Sequence, residues 1–190
     1  MLTLIVGGTR SGKTRFARSL CLREGRVALI ATARIEDDEM RARVERHRRD
    51  RPAAWIIVEE PLALSASIRR ALPVADAILV DCLTVWLSNL CWQYRDLCAA
   101  EIEHAACAEI RETAALSADR KIFLVSNEVG NGIVPESPVG RMFRDVHGLV
   151  NQSAAALADR VFLTVAGIPL QIKPQQYWTA PGHNQPKEEP

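Results

Sequence analysis

The chain has 190 residues, 48% hydrophobic and 25% charged, the composition of an ordinary globular domain rather than a disordered or membrane-embedded one. Its formal charge of +1 removes the electrostatic basis for nucleic acid or an acidic membrane as partner. Five cysteines (Cys21, Cys82, Cys91, Cys98, Cys107) are odd in number and form no CxxC pair, which argues for reduced thiols in the cytoplasm and against a disulfide framework or cysteine-metal site.

The N-terminus MLTLIVGG lacks the basic start of a signal sequence, and no later stretch approaches the roughly 18 apolar residues of a membrane span. Residues 2–6 read as a buried strand, followed by a glycine loop and a helix over 13–23. Residues 26–31 form a second strand and 36–50 a charged helix. A third strand at 55–58 precedes a helix at 62–72, which Pro73 closes. Residues 77–81 are a fourth strand, 85–92 an apolar helix and 95–117 a long helix rich in alanine and glutamate. A fifth strand at 121–126, a helix at 140–158 and strands at 160–165 and 170–173 complete the pattern.

Strands that are solidly apolar imply burial on both faces, as in a parallel sheet covered by helices. The expected fold is therefore α/β, doubly wound, with a mostly parallel sheet and helices on both faces. The last two strands, joined through Gly167-Ile168-Pro169, read as an antiparallel hairpin. Residues 1–173 form one nucleotide-binding catalytic domain; 174–190, rich in Pro and Gln, are expected to be a disordered tail.

Gly7-Gly8-Thr9-Arg10-Ser11-Gly12-Lys13-Thr14 fits GxxxxGK[ST] between a buried strand and a helix, the context the motif requires. The glycines let backbone N–H groups turn inward around phosphates, and the helix N-terminus adds positive potential. Lys13 would reach the β- and γ-phosphates and the Thr14 hydroxyl would ligate Mg²⁺. Asp81, ending an apolar strand, fits the carboxylate that holds the metal shell, or caps the helix that follows. Asn127 and Glu128 stand in the same topological position, as substrate acceptors or as caps of the next loop.

The segment 37–52 is the most unusual. Asp37 with Arg41 and Glu39 with Arg43 are i,i+4 pairs of favourable polarity, so much of the charge reads as a solvated face. Met40, Val44 and His47 share one stripe, so His47 is either a core cap or a reactive group. Its neighbours Arg46, Arg48, Arg49 and Arg51 suit oxyanions, and their charge lowers an imidazole's pKa. A neutral imidazole can attack phosphorus and form a phosphoramidate.

These residues carry a resemblance. The segments GGTRSGKTRFA, IATARIEDDEMRARVERHRRDRPAAW, VEEPLAL, VDCLTVWLSNL, VSNEVGNGIVPESPVGRMFRDVHGLVNQ and ADRVFLTVAGIPLQIK, collinear over 2–173, resemble the bifunctional adenosylcobinamide kinase / adenosylcobinamide-phosphate guanylyltransferase family of cobalamin biosynthesis. The resemblance implies that His47, in the HxxxRP element, is the residue guanylylated by GTP. It implies nucleotide contacts at Gly7–Thr14, at Ala31, Thr32 and Ala33, at Arg48, Arg49, Asp50 and Arg51, and at Glu59 and Asp81. It further implies a P-loop NTPase fold of RecA-like type, Mg²⁺ at Thr14 and Asp81, ATP and GTP as nucleotide substrates, a corrinoid as acceptor and a homotrimer. In the implied chemistry the hydroxyl of the cobinamide aminopropanol arm takes a γ-phosphate, and the resulting phosphate takes GMP from His47.

Three other readings compete. A simple P-loop small-molecule kinase needs the glycine loop and Asp81 but not His47. A GTP switch lacks an NKxD guanine motif, and the DxxG of Asp145-Val146-His147-Gly148 falls inside an expected helix. A DNA-binding RecA-like ATPase conflicts with the charge and the short chain.

Overall fold

Side chains along β1 (Leu2–Gly7) are buried on both faces, so this strand lies inside a sheet with cover on each side. The computed structural model describes residues 1–34, 38, 41, 45, 52–118 and 120–174. After β1 come α1 (Lys13–Cys21), β2 (Val27–Ala31), β3 (Ile56–Glu59), α2 (Leu64–Ala71), β4 (Ala77–Asp81) and α3 (Leu83–Gln93). Then follow α4 (Ala99–Ala115), β5 (Lys121–Asn127), α5 (Pro138–Leu157), β6 (Arg160–Val165) and β7 (Ile168–Lys173).

The strands form one sheet in the order β3-β2-β4-β5-β1-β6-β7. All neighbouring pairs are parallel except β6 with β7. The expected mostly parallel α/β sheet with a C-terminal antiparallel hairpin is thus observed, and its parallel strands all end at one edge.

Helices cover both faces unequally. On one face Ala17 and Cys21 of α1 pack with Ile5, Leu29, Leu79 and Val125. On the other, Leu64 and Ile68 of α2, Trp86 of α3, Ile110 of α4 and Val150 of α5 pack with Leu4, Ile30, Ile78 and Leu124. Each such aliphatic side chain contributes about 1.5–3 kcal/mol by burial. Trp86 is fully buried because its indole Nε1–H donates to the Leu62 carbonyl at 2.8 Å.

The differences from the sequence reading lie at element ends. The third strand is solidly apolar, yet Ile56 and Ile57 are 37% and 40% exposed, because β3 is an edge paired only with β2. The long helix starts at Ala99 rather than 95, because the Glu101 carboxylate accepts the Cys98 N–H at 2.8 Å and begins the helix there. The last strand begins at Ile168: Ala166 and Gly167 take positive φ of 51° and 84° and make the tight turn. Pro169 fits β7 because that strand is an edge. The expected helix at 36–50 and tail at 174–190 lie largely outside the described residues; Asp38, Arg41 and Glu45 are helical.

Candidate active site

Strand register decides which candidate residues meet. Ala31, at the end of β2, lies opposite Glu59 on one side and Asp81 on the other, so three candidates form one row across β3, β2 and β4. Gly7, at the end of β1, lies opposite Asn127 on β5 and Thr164 on β6. The carboxyl edge thus gathers Glu59, Ala31, Asp81, Asn127 and the glycine loop. His47, Arg48, Arg49, Asp50 and Arg51 lie outside the described residues.

The loop is braced from beneath. Thr164 Oγ1 donates to the Val6 carbonyl at 3.0 Å, so at 2.9 Å from Ser11 Oγ it accepts. The Ser11 carbonyl receives the Gly167 N–H at 2.9 Å from the β6–β7 turn. Gly12 sits at φ 94°, where an L side chain is strained, and leads into α1, where Phe16 N–H closes on its carbonyl at 2.9 Å. Lys13 is nearly buried and its Nζ donates to the Gly8 carbonyl at 3.0 Å, folding the ammonium back over the loop. Thr14 lies one residue further into the helix, half-buried.

Asp81 is half-buried at the tip of β4, and the Asp81–Cys82 peptide is cis. Thr32 is fully buried; its hydroxyl donates to the Cys82 carbonyl at 2.8 Å and accepts the Cys82 N–H at 2.9 Å. Asn89 of α3 donates to the Thr32 carbonyl at 2.8 Å and the Pro61 carbonyl at 3.1 Å. Burial and the adjacent Asp81 carboxylate push the Cys82 thiol up to about 11, which keeps it neutral. Ala33 follows half-buried, and Glu59 is exposed at its strand end.

Beside Asp81, Thr84 Oγ1 accepts the Asn127 N–H at 2.8 Å, joining the first turn of α3 to the tip of β5. Glu128 N–H donates to the Gly7 carbonyl at 3.0 Å, joining the same tip to the glycine loop. Its carboxylate accepts the Gly130 N–H at 3.1 Å, as the cap of the loop that follows. Hydrogen bonds therefore run laterally from Thr32 to Cys82, from Thr84 to Asn127 and from Glu128 to Gly7. Beneath them Ser126, His147 and Asn151 form a buried polar cluster.

Thr84, Ser126, His147, Asn151 and Thr164 were not singled out in the sequence. The signal that pointed to some of them was polarity where the helix pattern demands an apolar residue: His147 and Asn151 are i,i+4 on the inner face of α5. His147 and Gly148 do lie inside that helix, so the DxxG string is no loop.

Among the described residues, no three His, Cys, Asp or Glu side chains converge as a metal site, and no helix is long and apolar enough to cross a membrane. Thr14 and Asp81 offer hard oxygen donors, the kind Mg²⁺ takes when substrate phosphates and water complete its shell.

Fold and edge define an α/β protein of the class that binds its ligand outside the carboxyl ends of a parallel sheet. Comparison with known proteins narrows that class. Residues 3–172 match the family described as cobinamide kinase / cobinamide phosphate guanyltransferase, and the chain belongs to that family. It is 41% identical over 181 residues to the bifunctional adenosylcobalamin biosynthesis protein CobU of Escherichia coli K12, covering 91% of this chain and 100% of that one. It is 42% identical over 186 residues to the protein of the same name from Salmonella typhimurium LT2, with 91% and 100% coverage. The bifunctional adenosylcobalamin biosynthesis protein CobP of Pseudomonas aeruginosa is 41% identical over 174 residues, with 91% and 98% coverage.

Proposed function

We propose that the chain runs both family reactions at this one carboxyl edge, on a RecA-like P-loop scaffold, with His47 as the covalent nucleophile. The observation that carries this is the family match over residues 3–172, which includes both the glycine loop and the HxxxRP element.

In the kinase half, Gly7, Gly8, Thr9, Arg10, Ser11 and Gly12 cradle the triphosphate of ATP or GTP through backbone N–H groups, and Lys13 neutralises its terminal phosphates. The terminal hydroxyl of the cobinamide aminopropanol arm attacks the γ-phosphorus, loses its proton, and the bond to the β-phosphate oxygen breaks. Thr14 and Asp81 would hold Mg²⁺, which supplies charge neutralisation at the phosphate oxygens. In the transferase half, the neutral His47 imidazole attacks the α-phosphorus of GTP and pyrophosphate leaves. The phosphate of adenosylcobinamide phosphate then attacks the guanylyl-histidine, frees His47 and yields adenosylcobinamide-GDP. Arg48, Arg49 and Arg51 stabilise the charge on the phosphoryl oxygens, with Asp50 among them. Ala31, Thr32 and Ala33 contribute the strand end beside the nucleotide, Thr32 by bracing it, because its hydroxyl is engaged by Cys82 and its backbone by Asn89 and Asp81. Glu59, in the same row, accepts hydrogen bonds from guanine or ribose. The chain acts on a small-molecule corrinoid, as a cytoplasmic homotrimer, without nucleic acid; family resemblance and the charge of +1 support that part.

The test is incubation with Mg²⁺ and GTP labelled at the α-phosphate, followed by denaturation, for the wild type and a His47→Asn variant. Label retained by the wild type, released by acid but not by base, and absent from the variant is the expected result. If neither protein retains label while both transfer the γ-phosphate, His47 is no nucleophile and the chain is a simple small-molecule kinase.

A further inference from the structure

Beneath the edge lies a buried imidazole that the proposed chemistry leaves without a task. His147 is 1% exposed, its ring tilted against Phe143 at 5.6 Å. Its neighbours determine where its proton sits. The Asn127 carbonyl only accepts, so the Asn151 atom 3.0 Å away is the Nδ2 donor, and Oδ1 accepts the Ser126 hydroxyl at 2.6 Å. The same Nδ2 lies 3.4 Å from His147 Nδ1, which must therefore present a lone pair. The imidazole proton is on Nε2, directed at Thr84 Oγ1 at 3.0 Å, with Ser126 Oγ a second acceptor at 3.3 Å.

Thr84 Oγ1 thus accepts twice, from His147 Nε2–H and from the Asn127 N–H at 2.8 Å. Both lone pairs are used, and the hydroxyl's own proton has no acceptor among the described residues. Thr84 is half-buried, three residues after Asp81, and its partner Asn127 precedes Glu128, whose N–H holds Gly7 of the glycine loop. The unspent donor therefore stands between the metal-side carboxylate and the phosphate loop.

We propose that Thr84 donates its hydroxyl hydrogen bond to an oxygen of the terminal phosphoryl group in transit, and that His147 is the positioning residue that aims it. This rests on the kinase reading above. The hydroxyl keeps its proton and forms no covalent bond. Its contribution is a fixed donor matched to charge that develops during transfer. Burial holds the imidazole neutral, with its pKa lowered from 6.5 to about 4, so the second nitrogen stays a lone pair facing Asn151.

The experiment measures γ-phosphoryl transfer from Mg·ATP to adenosylcobinamide for Thr84→Val, Thr84→Ser, His147→Phe, His147→Gln and the Thr84→Val/His147→Phe pair. Loss of one such donor is expected to lower kcat about a hundredfold, with KM for ATP little changed. Thr84→Ser, and His147→Gln with an amide donor near the Nε2 position, should recover most of the rate. The double variant should be no slower than Thr84→Val alone, because His147 acts through Thr84. Should a single variant fail to fold, the two conservative variants and the remaining single one still decide the point. A Thr84→Val kcat equal to wild type, or fully additive losses, overturns this inference alone. A wild-type chain that does not phosphorylate adenosylcobinamide overturns the kinase reading and this inference with it.

Discussion

One hydroxyl, that of Thr32 at the end of β2, closes both backbone groups of Cys82: it accepts the N–H at 2.9 Å and donates to the carbonyl at 2.8 Å. Cys82 follows Asp81, so this pair of bonds sets where the chain goes after the carboxylate. Thr32 is held in turn by Asn89 on its own carbonyl. Replacing Thr32 with valine keeps the volume, leaves the Cys82 N–H without its partner and removes one of the two donors to the Cys82 carbonyl, which keeps the Trp86 N–H at 3.1 Å. The expected cost is about 1–3 kcal/mol of stability, read by denaturant unfolding, with Thr32→Ser closer to wild type. Equal midpoints for wild type and Thr32→Val would show that the bonds are dispensable.

Gly7 and Gly8 should respond oppositely to alanine. A Cβ at Gly7 would lie 2.4 Å from Thr164 Oγ1 and 2.6 Å from the Thr164 carbonyl, and that backbone oxygen belongs to the sheet. The loop itself would have to shift. Gly7→Ala should raise KM for nucleotide at least about tenfold and lower stability by about 1–3 kcal/mol. At Gly8 nothing lies within 4 Å of the new carbon, so Gly8→Ala should unfold at the wild-type denaturant concentration. Equal stability for the two variants would rule out steric exclusion by Thr164.

Glu60 fastens the chain just after Glu59. One carboxylate oxygen accepts the N–H groups of Leu62 at 3.1 Å and Ala63 at 3.0 Å, and the other pairs with Arg70 at 3.2 Å across α2. Burial alone would raise its pKa; the two N–H groups and the Arg70 guanidinium outweigh it and lower it below the ordinary 4.5. A lowered carboxyl pKa means the unfolded chain binds the proton more readily. The stabilisation is therefore present above pH 4.5 and fades as the pH falls through the folded value. Because Arg70 is largely exposed, screening keeps the ion pair small, and Glu60→Ala should cost about 1 kcal/mol at neutral pH, mostly from the lost N–H partners. That deficit should shrink in acid; a deficit independent of pH would contradict the assignment.

Which of these features a reader of the sequence can find depends on how local their physics is. The strand β4 and the turn toward α3 were legible, because an apolar run ending in Asp81 fixes a period and a boundary within a few residues. The alternation of strands and helices likewise led to the parallel sheet and the terminal hairpin. Exposure of Ile56 and Ile57 was not legible, because an edge is a property of strand order and not of the strand. Nor was the grouping of Thr84, Asn127, His147 and Asn151: three of their four contacts join residues 24 or more apart, and they meet only when α5 packs under β5. Thr164, 153 residues from Ser11, is the extreme case. What the sequence shows is chemistry carried by contiguous motifs; what it conceals is the bracing supplied from distant elements.

The buried imidazole makes acid stability a direct readout of that bracing. Burial lowers His147 from 6.5 to about 4, so between those values the unfolded chain carries a proton that the folded chain refuses. Stability must then rise with pH across this window; the benefit is complete above pH 6.5 and is lost as pH falls toward 4. Integrated over the window, one such group is worth about 3 kcal/mol. Other groups also titrate in this range, so the decisive quantity is the difference between wild type and His147→Phe, from urea unfolding at several pH values. Phenylalanine removes the titration while keeping an aromatic ring against Phe143, and its loss of hydrogen bonds adds an offset that does not vary with pH. The wild type should lose stability faster than the variant on acidification, by up to one proton's slope, and the two should run parallel above pH 7. Parallel curves throughout would mean that His147 accepts its proton in place, and that the Nε2–H tautomer facing Thr84 is not enforced by the fold.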